Sequence, residues 1–272
     1  MAEAQEAVDF LLHQSPRGHG SHCTRWRLQD VGRALGWLDG KSDAGIYKVL
    51  KRLGFSRKRA LQFSRSPDPD YRLKWRQVLS AYQDAVNHPA QVVLLFADEL
   101  TYFRRAELRS MWQKRGRKQR RLSQQPGANT KARVVAAVNA ITGQLLYLQR
   151  RKIGRFELCR FLAQIRAAYP LAERLYLVQD NWPTHKHPLV LASACDLQLR
   201  LLFLPTYASW LNPIEKLWRW LRQDILHNHN LSDDFKRLRL LVEQWLDQFA
   251  QGSLHLLNYL GLLSKEELQN AC

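Results

Sequence analysis

Apolar residues recur at helical spacing near the start of the chain. They form two short stripes, made of Leu28, Val31 and Leu35, and then Ile46, Val49, Leu50 and Leu53. The segment GWLDGKS separates the stripes, with Ser42 as a suitable N-cap for the second helix and Gly54 as a suitable stop. The spacing predicts a helix-turn-helix between Trp26 and Phe55, and an ordinary helical hairpin fits the same pattern.

Apolar runs typical of buried strands alternate with amphipathic segments over the rest of the chain. A predicted helix at about Tyr71–Asn87 precedes the run QVVLLFADE, and a hairpin that turns near Thr142 and Gly143 follows. Next come the helical pattern RFELCRFLAQIRAAYP, the strand RLYLVQDNWPTH, a helix from His185 to Ala194, the strand LQLRLLFLP and a helix beginning at NPIE. This order predicts an α/β fold with a sheet covered on both faces.

Three acidic residues stand at the borders of these predicted elements. Asp98 and Asp180 come at the ends of apolar strands, and Glu215 begins the helix after the last strand. Ligands of open α/β sheets gather at the carboxyl ends of strands, so we expect the three carboxylates to converge. Each also has a local explanation: the aspartates can cap turns, and Glu215 can form a capping box with Asn212.

The charge of the chain favours nucleic acid as its partner. Lys and Arg number 42 against 24 acidic residues, a formal net charge of +18. Two groups of basic residues are candidates for DNA contact: Lys48, Lys51 and Arg52 on the open face of the second short helix, and Lys114, Arg115 and Arg117 in the run WQKRGRKQRRL. We expect the first group to provide specificity and the second to follow phosphates, with a solvated surface as the alternative.

The remaining composition indicates a cytoplasmic protein without a membrane partner. No apolar run approaches the roughly 20 residues of a membrane span. The opening MAEAQEAVDF is acidic, whereas a secretion signal is basic and then apolar. The 4 cysteines form no C-x-x-C pair, which fits reduced thiols. His19, His22 and Cys23 match no standard zinc spacing.

Three convergent carboxylates beside a DNA-binding module suit two-metal phosphoryl transfer. Carboxylate oxygens are the ligands that Mg²⁺ and Mn²⁺ prefer. Two such ions about 3.5–4 Å apart activate an attacking oxygen and stabilise the leaving one. The ions also compensate the mutual repulsion of the carboxylates. The sequence therefore predicts two Mg²⁺ or Mn²⁺ ions at Asp98, Asp180 and Glu215.

The blocks FADE, VQDNWPTH and LPTYASWLNPIEKLW resemble the three signature blocks of DDE transposases. The similar branch is the mariner-like superfamily, in particular its bacterial insertion-sequence members. Between Asp180 and Glu215 lie 34 residues, the spacing typical of that branch. The third block is the most specific, although its TYASW stretch lacks the second proline that relatives usually carry. One helix-turn-helix precedes the catalytic region, where relatives usually have two.

The resemblance implies a ribonuclease H-like catalytic domain at residues 67–272, preceded by a small helical helix-turn-helix DNA-binding domain at residues 1–66. It implies Asp98, Asp180 and Glu215 as the acidic triad. Asn181, His185 and Asn212 are then supporting residues, whereas Glu99 alternates to the other side of its strand and is interpreted as structural.

The implied activity is that of a DNA transposase. Such an enzyme cuts transposon ends by metal-dependent hydrolysis and joins the freed 3′-hydroxyls to target DNA. Its partners are double-stranded DNA, in the form of terminal inverted repeats and target, and a second copy of itself in a homodimer on the bacterial nucleoid. A catalytically silent DNA-binding protein and a general ribonuclease H-like nuclease are the alternatives.

Overall fold

The structure is a computed structural model that describes residues 1–58, 65–116 and 118–262. It divides into two compact units, Met1–Ser64 and Arg65–Cys272. The first unit contains three α-helices in its described part: α1 (Ala2–Leu12), α2 (Leu28–Leu35) and α3 (Asp43–Arg52). The two helices expected between Trp26 and Phe55 are therefore present.

Helix α3 begins and ends at the residues that the sequence indicates. The Ser42 hydroxyl accepts a hydrogen bond from the Gly45 backbone N–H at 3.2 Å, as an N-cap does. Gly54 has a φ of +86°, which stops the helix at a residue without a Cβ penalty. The sequence did not predict helix α1, which is anchored by the buried side chains of Val8 and Leu11.

The second unit is built on a five-stranded sheet with helices on both faces. Its elements are α4 (Tyr71–Asn87), β1 (Val92–Phe103), β2 (Lys131–Asn139), β3 (Leu145–Arg150), α5 (Arg155–Ala168), β4 (Arg174–Gln179), α6 (Pro188–Asp196), β5 (Leu199–Phe203), α7 (Ile214–Leu221), α8 (Phe235–Asp247) and α9 (Leu254–Leu260). The strand order is β3-β2-β1-β4-β5. Strands β1, β4 and β5 are parallel, and β2 and β3 form an antiparallel hairpin beside β1.

Each face of the sheet has its own hydrophobic core. On one face, helices α4, α7, α8 and α9 bury residues such as Trp218, which is 1% exposed. On the other face, α5 and α6 bury residues such as Phe161 and Val190. The central strands are buried from both sides, as their continuous apolar runs predict, and the α/β prediction is confirmed. Across the described ranges, no helix has the length and apolar content that a membrane crossing requires.

The prediction that Asp98 ends a strand is wrong. Parallel pairing of β1 with β4 stops at Phe96 and Val178, but antiparallel pairing with β2 continues from Asp98 and Ala136 as far as Phe103. Asp98 therefore lies inside β1, just beyond the carboxyl end of its parallel neighbour. Asp98 nevertheless lies at the edge of the sheet where Asp180 follows the end of β4.

The helix predicted to start at His185 begins later. Residues 182–187 form consecutive turns, and α6 starts at Pro188, which lacks a backbone N–H and so fits the first helical position. The His187 ring accepts a hydrogen bond from the Leu189 N–H at 3.1 Å and caps the helix. His185 is thereby left in the turns that connect β4 with α6.

Candidate active site

The three predicted acidic residues are brought together by different elements of the second unit. Asp98 lies in β1, Asp180 directly follows β4, and Glu215 lies in the first turn of α7. The charge of Glu215 raises the pKa of Asp98, and the charge of Asp180 raises the pKa of Glu215. Phe96 pairs with Val178 two residues before the aspartates, so Asp98 and Asp180 lie at the same edge of the sheet. Trp218 of α7, in the same short helix as Glu215, contacts Asp98 directly, so α7 packs at this edge too.

Asp98 is the most buried member of this group. Its pKa is raised to about 8, first by burial and then by the charges of Glu215 and Glu99. The Trp218 indole N–H donates a hydrogen bond to Asp98 Oδ2 at 2.9 Å, so the carboxyl group is held in one orientation. Near neutral pH and without a cation, Asp98 is therefore largely protonated.

Asp180 is linked through His185 to Glu99. His185 Nδ1 lies 3.0 Å from Asp180 Oδ1, and His185 Nε2 lies 2.8 Å from Glu99 Oε1. Burial lowers the pKa of His185, but the hydrogen bonds and charges of both carboxylates outweigh it and raise the pKa to about 10. The ring thus carries both protons and donates to an acid on either side.

Glu99, Asp180 and His185 also lie close enough together to hold a cation between them. One ligand-type atom from each of Glu99, Asp180 and His185 lies within 4.8 Å of the other two. Without a cation, His185 is held as an imidazolium by its two acidic partners, whereas a metal-binding imidazole is neutral. In the cation-free state the trio is a chain of two ion pairs that orients Asp180, and Glu99 contributes to the site through His185.

Asp180 is kept ionised by its surroundings. Burial raises its pKa, but hydrogen bonds from His185 and from the Trp182 backbone N–H, which lies 2.9 Å from Oδ1, bring the pKa below its usual value. The contact with Trp182 is also the local turn-capping bond considered for this residue. Asp180 thus has a structural bond to the Trp182 backbone, and its charge adds to the effect of burial in raising the pKa of Glu215.

The capping-box interpretation of Glu215 is wrong. Helix α7 has no side-chain cap bond, and its first turn follows Pro213 directly. The Asn212 amide instead donates to the Ala97 carbonyl of β1 at 2.9 Å, because its side chain is buried against the sheet. Burial raises the pKa of Glu215, the charge of Arg222 opposes this rise, and the net pKa is raised. Helix capping therefore does not explain why a glutamate stands there.

Two buried side-chain oxygens, on residues close to Asp180 and Glu215 in the sequence, lack hydrogen-bond partners among the described residues. The buried Oδ1 atoms of Asn181 and Asn212 accept no hydrogen bond, although both amide nitrogens donate to backbone carbonyls. The side chains of Asp98, Asp180 and Glu215 supply carboxylate oxygens, the donors that a hard divalent cation prefers, and the two asparagines add buried amide oxygens with unused lone pairs. The residues present therefore fit Mg²⁺ or Mn²⁺.

The predicted DNA-contacting residues are solvent-exposed within their own units. Lys48, Lys51 and Arg52 are exposed on α3 of the first unit. Lys114 and Arg115 are exposed in the second unit, in the long loop between β1 and β2. They line an open cavity with the further basic side chains Arg109, Lys118, Arg120 and Arg121. Arg117 lies outside the described residues.

The protonation of Asp98 leads to a testable stability prediction. Its folded-state pKa of about 8 lies above the usual value of 3.8 that applies to the unfolded chain, so the free energy of unfolding falls as pH rises from about 4 to about 8. Asp98→Asn cannot ionise and should raise the Tm of the metal-free protein at pH 8. We expect the substitution to increase the free energy of unfolding at pH 8 by at least about 1 kcal/mol. For a unit of this size, that change corresponds to an increase in Tm of roughly 2–4 °C.

Thermal unfolding in EDTA across pH 4–8 checks this prediction and contains its own control. At pH 4 both proteins carry a neutral group at position 98, so their Tm values should nearly coincide. If the Tm of Asp98→Asn is equal to or below that of the wild type at every pH, burial does not disfavour the ionised form of Asp98, and the raised pKa is wrong.

Comparison with known proteins links the chain to mobile-element proteins. Residues 93–239 match the family described as DDE superfamily endonuclease. The insertion element IS630 uncharacterized 39 kDa protein of Shigella sonnei is 24% identical over 233 residues, which make up 84% of this chain and 66% of that protein. The chain therefore spans just under two thirds of the length of this relative.

The fold is similar to solved structures of the Mos1 transposase. The mariner Mos1 paired-end complex with Mg matches with a TM-score of 0.64 at 12% identity, over 98% of this chain and 77% of that chain. The paired-end complex with Mn matches with a TM-score of 0.63 at 13% identity, over 97% and 76%. At such low identity the similarity establishes the fold, and the predicted ribonuclease H-like arrangement is confirmed.

Proposed function

This chain belongs to the DDE superfamily endonuclease family, and from that premise we propose that it is a DNA transposase. It cuts the ends of its element by metal-dependent phosphodiester hydrolysis and joins the freed 3′-hydroxyls to target DNA. The observation that carries the proposal is the placement of Asp98, Asp180 and the α7 helix of Glu215 at one edge of the sheet. Strand β1, strand β4 and helix α7 each bring one of these acidic residues to the site. The resulting repulsion between ionised carboxylates is offset by a divalent cation.

Asp98, Asp180 and Glu215 are the proposed holders of two Mg²⁺ or Mn²⁺ ions. Bound ions of this kind activate the attacking oxygen and stabilise the leaving oxygen in an in-line displacement. Asp180 presents an ionised carboxylate fixed by His185, and Asp98 is held in place by the indole of Trp218. Two of the similar Mos1 structures are complexes with Mg and Mn, which supports this choice of cation.

The proposed partners are the terminal inverted repeats of the element, target DNA and a second copy of the chain. The net charge of +18 suits a polyanion, and exposed basic residues are present on α3 and in the loop after β1. The similar Mos1 structures include a paired-end complex with the left transposon end, which supports a homodimer that pairs two ends. For a DNA substrate and a bacterial relative, the proposed location is the nucleoid in the cytoplasm.

Cleavage of labelled duplexes tests this function against its two alternatives. A transposase cuts a duplex bearing the ends of its own element in the presence of Mg²⁺ or Mn²⁺. It does not cut a shuffled duplex, and it is inactive in EDTA. A general nuclease cuts both duplexes alike. A silent DNA-binding protein cuts neither, although it still retards the end duplex in a gel. Either of the last two patterns would overturn the proposal.

A further inference from the structure

Tyr207 has an unusual position on the loop that joins β5 to α7. Its side chain is 81% exposed, and within the described part of the chain it has no hydrogen-bond or ring partner. Its φ is +55°, in the left-handed region that bulky side chains rarely adopt. Strained backbone that presents an unused side chain is a reason to look for a ligand.

The neighbouring residue, Thr206, is held from outside the loop. Its backbone N–H donates to Asp68 Oδ2 at 2.7 Å, and its carbonyl accepts from the Ser66 hydroxyl at 2.6 Å. The Asp68 side chain, 3% exposed, also pairs with Lys74 at 2.7 Å. Both backbone polar groups of Thr206 are thus fixed, so Tyr207 is presented on a rigid support.

Both ends of this loop are tied to the acidic site. The Leu204 N–H donates to the Gln179 carbonyl at 2.9 Å, and Asn212 donates to the Ala97 carbonyl at 2.9 Å. Gln179 and Ala97 immediately precede the two aspartates of the site in the sequence. The backbone that carries Tyr207 is therefore anchored, at both ends of its loop, to the residues that precede the two aspartates.

We propose that Tyr207 stacks on a nucleobase of the DNA strand end that is bound at the acidic site. The proposal rests on the proposed function, because it needs DNA at the acidic site. A phosphate selects cationic side chains, whereas a neutral aromatic ring suits the π-face that every base possesses. Stacking independent of base identity would hold the strand end while its phosphate reaches the carboxylates.

The test is an equilibrium binding cycle on DNA that is not cut. All proteins carry Glu215→Gln, and the probe is a fluorescent element-end duplex with a short single-stranded extension at the cleaved strand. A second probe has abasic sites in the extension, so its backbone charge is the same and its bases are missing. We expect Tyr207→Ala to weaken binding of the first probe at least about fivefold and to leave the abasic probe unaffected.

Three further variants separate the ring from other effects. Tyr207→Phe keeps the ring and should bind both probes like the parent. Tyr207→Asn removes the ring at a residue type that tolerates positive φ, so it should match Tyr207→Ala if the ring matters. Phe156→Ala removes another exposed aromatic, on α5, and should change nothing.

Two results would overturn the proposal. They are unchanged affinity in Tyr207→Ala, or an equal loss on the base-containing and abasic probes. Neither would affect the proposed function, whose failure shows separately as absent metal-dependent cleavage by the protein with Glu215 intact.

Discussion

Glu215→Gln should lose about 10²–10³-fold or more in metal-dependent cleavage of element ends, the range seen when one preorganised charge-stabilising group is removed. Glutamine keeps the length and one oxygen of the side chain but lacks the negative charge that a hard cation requires. Because α7 has no side-chain cap bond, the helix should persist and the Tm should stay near wild type or rise. Cleavage rates, a melting curve and a gel shift together check the prediction.

A matched control for this variant is available within the same unit. Glu157 is a true capping residue of α5, since its carboxylate accepts the Gly154 N–H at 3.0 Å. Glu157→Gln should therefore cleave normally, whereas Asp98→Asn and Asp180→Asn should be as inactive as Glu215→Gln. Near-wild-type cleavage by Glu215→Gln would mean that the cation site was assigned to the wrong carboxylate.

Removal of residues 1–64 should abolish the preference for element ends. Lys48, Lys51 and Arg52 are exposed on α3, where base edges and phosphates are within reach of a helix in the major groove. Discrimination between end and random duplex, about 10³ or more for a specific binder, should fall to near unity. The cut is placed after Ser64 because Ser66 and Asp68 hold the loop before Glu215.

The residual binding of the truncated chain should be weak and salt-sensitive, because Lys114 and Arg115 remain. Replacing Lys48, Lys51 and Arg52 together by alanine in the full chain should reproduce the loss of specificity without removing a domain. Gel-shift titrations at two salt concentrations measure both effects. If the truncated chain still prefers the end duplex to the random duplex, the residues that recognise element ends lie in the second unit.

Local patterns predicted the elements of this protein well. Helix α4 has the predicted bounds, and the strand of Asp180 ends where its apolar run stops, because burial of one helix face or of a central strand leaves a direct trace in the sequence. Helix α1 was missed although its alanines and glutamates favour a helix, because only Val8 and Leu11 of its apolar residues are buried and they form too short a stripe to indicate one.

The predictions that were wrong concern residues whose conformation or contacts depend on partners distant in the sequence. Strand β1 continues past Asp98 only because β2 pairs with it, from Glu99 with Val135 to Phe103 with Lys131, and β2 is distant in the sequence. Asn212 bonds to the sheet instead of capping its own helix. The pairing of His185 with Glu99 likewise depends on packing between β1 and the turn after β4, so periodicity could not show that Glu99 supports the site.

Location of Mn²⁺ by anomalous diffraction, in crystals of the protein soaked with the ion, tests the central claim most directly. The predicted result is anomalous density bounded by the carboxylates of Asp98, Asp180 and Glu215, and its loss in Glu215→Gln. Density between Glu99, Asp180 and His185 instead, or none beside Asp98 and Glu215, would contradict the proposed two-metal site.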